Sequence, residues 1–169
     1  SLGKNGALAD LLERLDTIEG LDRLRFVTSH PRDMTPAILQ AMSDLPSVCE
    51  SLHMPAQSGN DRILAAMRRG YTGGWYRDLI AQTREIVPGI AVASDFIVGF
   101  PGETEEEYQD TASLIRDLRF QNCFIFKYST RPGTKAADLD DDVPTVDKKR
   151  RNNELLAIQE QVSTEEHNA

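Results

Sequence analysis

The stretch Ile90-Ala91-Val92-Ala93-Ser94-Asp95-Phe96-Ile97-Val98-Gly99-Phe100-Pro101-Gly102-Glu103 decides how this chain folds. Ile90 to Val98 is rich in β-branched and apolar residues and reads as a strand, which ends at the turn formers Gly99 to Gly102. Thr104-Glu105-Glu106-Glu107 then has the form of a capping box, so a helix opens there, with Tyr108, Thr111, Ile115 and Leu118 on one face. A second strand, Asn122 to Tyr128, follows it. Two strands joined through a helix run parallel, and such units wind in one hand.

The same alternation extends upstream. Leu8, Leu11, Leu12, Leu15 and Ile18 repeat at helical spacing up to Gly20, and Leu24, Phe26 and Val27 form a short strand ahead of Ser29-His30-Pro31. Thr35-Pro36 caps and starts a helix through Ile38, Leu39, Met42 and Leu45. Ser51 to Met54 is a third strand running into the loop Pro55 to Gly59, after which Asn60 caps one helix and Thr72 to Val87 forms another. Downstream, Asp140 to Asp142 and Pro144 precede a last helix from Thr145. The expected architecture is α/β, with about four parallel strands and flanking helices, too few to close a barrel. Residues 1–6 and 163–169 read as unstructured ends, leaving 7–162 as one domain.

Composition sets limits on function. A chain of 169 residues can bury about two-thirds of its unfolded surface, enough for one core. No apolar run approaches the ~20 residues of a membrane helix, and no secretory pattern opens the chain, so a cytoplasmic location is expected. Net charge is −8, whereas domains that grip nucleic acid through phosphates carry a basic face; weak RNA binding by the chain alone is expected. Cys49 and Cys123 stand far apart, outside any Cys-x-x-Cys cluster, and read as buried small hydrophobes.

In a parallel α/β fold, sites lie beyond the C-terminal strand ends. Four polar or glycine-rich stretches fall there: Ser29-His30-Pro31, His53 to Gly59, Asp95 to Glu103, and Tyr128 to Gly133. With Thr28-Ser29-His30-Pro31, Leu52-His53-Met54-Pro55-Ala56-Gln57-Ser58-Gly59, Met67-Arg68-Arg69-Gly70-Tyr71-Thr72, Ser94 to Glu103 and Arg131-Pro132-Gly133-Thr134 in this order, nearly the whole chain resembles radical-SAM tRNA methylthiotransferases of the MiaB type. The Ser-His-Pro and Gln-Ser-Gly forms look more like this tRNA-modifying branch than the sister branch that modifies a ribosomal-protein aspartate.

The resemblance implies a partial (β/α) barrel of the radical-SAM type, here truncated. It implies S-adenosylmethionine beside a [4Fe–4S] cluster, a second [4Fe–4S] cluster in a separate domain, and tRNA as partner, methylthiolated at C2 of an N6-isopentenyladenosine next to the anticodon. This sequence lacks the Cys-x-x-x-Cys-x-x-Cys of that superfamily, so the chain reads as an inactive fragment of such an enzyme, with the cluster loop, N-terminal cluster domain and TRAM domain absent. The alternatives are the sister branch and a non-redox α/β binding module.

The cofactor-contact candidates carried by the resemblance are Gln57, Ser58, Asp95, Ile97, Gly99 and Arg131, with His30 as a substrate-facing candidate and no catalytic or metal residue. An amide and a hydroxyl at Gln57 and Ser58 suit ribose or methionine groups, or else form a self-bonded turn. Ile97 would pack the adenine and Gly99 permit close backbone approach. Ser94 and Asp95 alternate, so one of them faces the interior, and Asp95 is favoured. Arg131 matches a carboxylate or phosphate bidentately, or a surface acid. His30 is either substrate-facing or a structural hydrogen-bonder, and Glu103 either a site residue or a turn former. His53 reads as core, and Lys148 to Arg151 as a solvated helix face. The strand 23–28, left with an open edge, invites self-association.

Two thiolates on different elements cannot replace three from one loop. Reconstitution with iron and sulfide is therefore expected to leave the purified chain without a stoichiometric cluster; a cluster-type visible absorption that survives desalting is the contrary outcome.

Overall fold

A computed structural model of the chain describes residues 7–27 and 30–167. In chain order the elements are α1 (Ala7–Asp16), α2 (Pro36–Asp44), β1 (Ser51–His53), α3 (Asp61–Ala66), α4 (Gly73–Ile86), β2 (Ala91–Val98), α5 (Glu105–Leu118), β3 (Asn122–Lys127) and α6 (Thr145–His167), with short 3-10 turns at Pro31–Asp33 and Lys135–Asp138. The strands form one parallel sheet in the order β1-β2-β3, Ser51 facing Ala91 and Ala93 facing Asn122.

Local chemistry sets the helix starts. The side chains of Thr35, Asn60 and Thr72 accept from backbone N–H groups in the first turns of α2, α3 and α4. Thr104 and Glu107 make the reciprocal capping box of α5.

Strict alternation along β2 splits the sheet into two faces. Val92, Ser94, Phe96 and Val98 are buried, whereas Ala91, Ala93, Asp95 and Ile97 are only half-buried. The dry face meets Leu39 and Met42 of α2, Tyr76 and Ile80 of α4, Leu114 and Ile115 of α5, and Leu155 of α6 in one core. Phe96 and Tyr76 both pack on Phe120, with ring centroids 5.8 and 6.4 Å away. Complete burial of such side chains contributes about 1.5–3 kcal/mol each. The Tyr76 hydroxyl is satisfied by the Met54 carbonyl at 2.6 Å. On the open face Phe124 and Phe126 of β3 are 49% and 54% exposed, so this side of the sheet is apolar but uncovered.

Two sequence expectations need correction here. The strand expected over 23–28 is reduced, among the described residues, to one parallel bridge between Leu24 and Val48, closed by Leu24 N–H to Ser47 C=O and Cys49 N–H to Leu24 C=O. Three apolar residues interleaved with Arg23 and Arg25 leave only Leu24 and Phe26 half-buried, too little to hold a longer ladder. Thr28 and Ser29 lie outside the described residues, as do residues 1–6. The tail expected from Ser163 is helical to His167, because Val162 is buried, Ser163 bonds the Gln121 carbonyl and Glu165 pairs with Arg119 at 2.9 Å.

Gly59 is required by close approach. A Cβ there would lie 2.4 Å from the Asp110 carbonyl oxygen and 2.7 Å from the Thr111 Cα, backbone atoms of α5 that cannot swing aside. Gly59→Ala is expected to destabilise the fold by about 2–3 kcal/mol, as overpacking does. Urea unfolding measures this, and an unchanged midpoint would show that α5 is not seated as described.

Candidate functional site

Beyond the C-terminal ends of β2 and β3 the open face of the sheet continues into a cleft of about 640 Å³. Gln57, Asp95, Ile97 and Arg131 all line it, together with Phe126 and Lys127 at the end of β3. Gln57 arrives there because the chain after β1 rejoins the sheet for one residue. Its N–H donates to the Asp95 carbonyl at 2.8 Å and its carbonyl accepts from Ile97 N–H at 2.9 Å. To make both bonds and then turn away, Gln57 adopts φ +73°, the left-handed region that a residue with a Cβ rarely occupies.

Asp95, expected to face inward, does so, while Ser94 is fully buried on the other face, where it donates to the Met54 carbonyl and accepts from Ala56 N–H. The Asp95 carboxylate is held by His53, whose Nε2 lies 2.8 Å from Oδ1. His53 is thus not a core residue. Leu52 and Met54 take the buried side, and the parallel register, His53 opposite Ala93, brings the imidazole beside Asp95 and edge-on to Phe124, ring centroids 6.1 Å apart. The apolar-polar-apolar order Leu52-His53-Met54 was the signal for this.

Three other candidates lie apart from the cleft. Ser58 is buried; its hydroxyl sits 3.3 Å from Thr111 Oγ1 and accepts from Asn60 N–H, fastening the loop to α5. Gly99 has φ +71° and donates its N–H to Glu103 at 2.6 Å, and a Cβ there would lie 2.3 Å from Lys148 Cγ. His30 caps the 3-10 turn through Nδ1, which accepts from Arg32 N–H, and its ring meets Tyr71 edge-on at 5.6 Å. Burial and the nearby Arg69 guanidinium hold its imidazole below the usual histidine value. Tyr71 in turn donates to the Ala56 carbonyl at 3.0 Å, so His30 belongs to the layer that supports the Gln57 loop from outside.

The basic run on α6, expected as a solvated face, is split: Lys149 and Arg150 are exposed and the two residues that flank them are buried. Lys148 and Arg151 are both 5% exposed: Lys148 pairs with Asp141 and lies over the Tyr128 ring, and Arg151 reaches the fully buried Glu103 at 2.8 Å. Arg150 pairs with Glu105 and Glu154, which leaves Lys149 as the exposed member without a carboxylate among the described residues. Burial pushes the Glu103 carboxyl up despite the Gly99 N–H and Arg151, and its Oε1 has no hydrogen-bond partner among the described residues. Glu103 therefore shapes the turn after β2 and ties it to α6.

The two cysteines stand apart from the cleft and from each other. Cys123 is buried at the start of β3, and burial pushes its thiol up. Cys49 precedes β1 and is only partly buried, contrary to the expectation, and the Arg23 and Arg25 guanidinium groups hold its thiol below the usual value. Among the described residues no three His, Cys, Asp or Glu side chains gather to hold a metal. The residues present do not fit an iron–sulfur cluster.

Residues 3–115 match the family model of the Radical SAM superfamily. A protein of Rhodopirellula baltica named tRNA-2-methylthio-N(6)-dimethylallyladenosine synthase is 52% identical over 161 residues, which make up 95% of this chain and 34% of that protein. Proteins of the same name from Moorella thermoacetica and Rhodococcus jostii are 47% and 46% identical over 95% and 96% of this chain, covering 36% and 32% of their own lengths. The chain thus spans about one third of the curated relatives it matches. Among solved structures, the radical SAM enzyme coproporphyrinogen III oxidase from Escherichia coli superposes with a TM-score of 0.73 at 20% identity, over 95% of this chain and 38% of that one. A radical S-adenosylmethionine methyltransferase from Kitasatospora setae gives 0.62 at 18%, over 79% and 26%. These two show the fold, a partial radical-SAM barrel.

Removing one partner of a buried ion pair leaves the other charge without compensation, at a cost of about 3–5 kcal/mol. Arg151→Met is expected to destabilise the chain by about that much, while Arg150→Met, on the exposed pair, costs about 1 kcal/mol or less. Equal denaturant midpoints for the two variants would show that the Glu103 contact is not the buried pair described.

Proposed function

This chain belongs to the radical SAM superfamily, and from that premise we propose that it forms the S-adenosylmethionine-binding wall of a tRNA methylthiotransferase. The reading is that the whole protein methylthiolates C2 of N6-isopentenyladenosine beside the anticodon, in the cytoplasm, using S-adenosylmethionine and two [4Fe–4S] clusters whose ligands lie outside these 169 residues. The observation that carries the site is the convergence of Gln57, Asp95, Ile97 and Arg131, singled out from separate stretches of sequence, on one cleft. The name shared by relatives 46–52% identical supports the substrate.

The cleft suits the cofactor by its mixture of surfaces. Its volume of about 640 Å³ lies in the range of small-molecule sites. Ile97 and Phe126 offer apolar surface to a purine, and the Asp95 carboxylate, held by His53, accepts from hydroxyl or ammonium groups. Gln57 brings an amide that can donate and accept, and Arg131 a guanidinium for a carboxylate. When bound, S-adenosylmethionine supplies the adenosyl group used for radical chemistry in this superfamily; the chain's own residues bind it, orient it and keep one side of it dry. Ser58, Gly99 and His30 act in this reading through the loops they brace. Self-association through the stretch 23–28, whose one sheet bridge among the described residues is at Leu24, belongs to the same proposal.

Calorimetry of the purified chain with S-adenosylmethionine tests the site. Binding is expected to be weak, since a large part of the anchoring is missing, and Asp95→Ala is expected to weaken it about tenfold further, the loss of a charge-assisted hydrogen bond of about 1.5 kcal/mol. Affinity unchanged by Asp95→Ala would mean that the cofactor wall lies elsewhere.

A further inference from the structure

At the opposite end of the sheet from the cleft, a second hollow of about 640 Å³ borders the N-terminal ends of β1 and β2. Ser51 and Ala91, the first residues of those strands, line it together with Arg23, Arg25, Ser47 and Cys49. The bridge between Leu24 and Val48 assembles the last four. Leu24 N–H donates to the Ser47 carbonyl at 2.6 Å and Cys49 N–H to the Leu24 carbonyl at 2.9 Å, which brings Ser47 level with Arg23 and Cys49 level with Arg25. Val48 takes the buried side, so alternation turns Cys49 and both arginines to the other.

Three features of this hollow point to a ligand. Arg23 and Arg25 are exposed and neither meets a carboxylate among the described residues, although Arg62, Arg77, Arg119, Arg150 and Arg151 are each paired with one. Ser47 is 7% exposed and its hydroxyl has no hydrogen-bond partner among the described residues. A buried hydroxyl left in that state is costly, and the hollow that Ser47 lines is the open space beside it. The Cys49 thiol, held low chiefly by Arg23, is the more reactive of the two thiols, because burial pushes Cys123 up on the dry face, opposite Ser94.

The acids of the hollow decide the class of ligand. Asp22 and Glu50 stand exposed at its wall, and Asp44 accepts from the Gln40 amide at 2.9 Å. Two cations among three acids do not make a phosphate site. They suit a molecule that carries carboxylate and ammonium groups together, and a thiol beside the cations suits one that also offers a disulfide.

We propose that Cys49 is a modification site for a low-molecular-weight amino-acid disulfide, with Arg23 and Arg25 taking its carboxylates, Asp22 and Glu50 its ammonium group and Ser47 a further polar atom. The Cys49 thiolate attacks one sulfur of the disulfide. The old S–S bond breaks as the new one forms, and the other half departs as a thiolate that takes up the proton Cys49 had released to solvent. The Cys49 sulfur is oxidised and the departing sulfur reduced, so the disulfide itself is the oxidant. Cys123 lies on the other face of the sheet and cannot resolve the product, which persists until an external thiol removes it. This site is independent of the cofactor reading of the cleft and stands or falls without it.

Intact-mass spectrometry of the purified chain measures the rate of adduct formation with three disulfides: oxidised glutathione, neutral hydroxyethyl disulfide and cystamine, which carries ammonium groups alone. Each rate is taken relative to that of mercaptoethanol with the same disulfide. Because the chain has a net charge of −8, an unselective thiol on it favours cystamine. The expected result is one adduct, mapped to Cys49, that forms at least about fivefold faster with oxidised glutathione than with cystamine at about 50 mM salt, the advantage shrinking at about 500 mM. Arg23→Gln/Arg25→Gln is expected to reverse that order. Arg116→Gln/Lys149→Gln removes the same charge from the helices and is expected to preserve it, and Cys49→Ser is expected to give no adduct. Cystamine reacting as fast as oxidised glutathione in the parent chain, an equal loss of preference in the helical control, an adduct on Cys123, or no adduct at all would each overturn the proposal.

Discussion

Two backbone hydrogen bonds at Gln57 organise this molecule around its cleft. By donating to Asp95 and accepting from Ile97, Gln57 extends the line of β1 along β2 one residue past a gap. That brings Gln57 to the wall of the cleft beside Asp95 and Ile97. It also forces the left-handed φ that turns the chain toward α5. Gly59 then meets the Asp110 backbone so closely that no Cβ fits, and Ser58 fills its hydrogen bonding against Thr111 and Asn60. The Gln-Ser-Gly sequence is thus three solutions to one geometric demand, and only its first member lines the cleft.

The second constraint is the difference between the two faces of the sheet. Parallel sheets are ordinarily covered on both sides. Here the helices cover one, and the other presents Ile97, Phe124 and Phe126 next to Asp95 and His53. A polar pair on an apolar floor gives a carboxylate of fixed orientation in partly dry surroundings. Binding such a site costs little reorganisation, because His53 has already fixed the carboxylate rotamer.

What was legible in the sequence follows from how local each determinant is. The capping box at Thr104, the cap at Asn60 and the alternation of β2 depend on neighbours within four residues, and the structure reproduces them. The inward turn of Asp95 was legible because a period of two leaves one choice. His53 was misread because its environment comes from β2, some 40 residues further on, through the register. Lys148 and Arg151 were misread because burial of a cation depends on a carboxylate elsewhere, Glu103 for one and Asp141 for the other. The strand at 23–28 failed for a related reason: apolar residues on one face suggest pairing, but only a partner ladder can enforce it, and Val48 supplies a single bridge.

Charge was the least legible feature, since a sum over the chain conceals where its parts point. The acidic run Asp140 to Asp142 follows Lys135 by only a few residues and sits close enough in sequence to neutralise the cleft. The fold turns it away. Asp141 is taken by Lys148 and Asp142 accepts from Gly102 N–H at 2.6 Å, so both carboxylates face the turn after β2 and the start of α6. Gly99 makes room for the Lys148 stem, and Glu103 holds Arg151 one turn further along the helix. The clasp that seats α6 thereby engages Asp141 and Asp142, neither of which lines the cleft. Within about one Debye length, 8–10 Å at ordinary salt, a charged ligand responds to the cations at the cleft and little to distant helical carboxylates. An acidic domain can in this way present a positive site, provided its acids are engaged on the far side of the same loops.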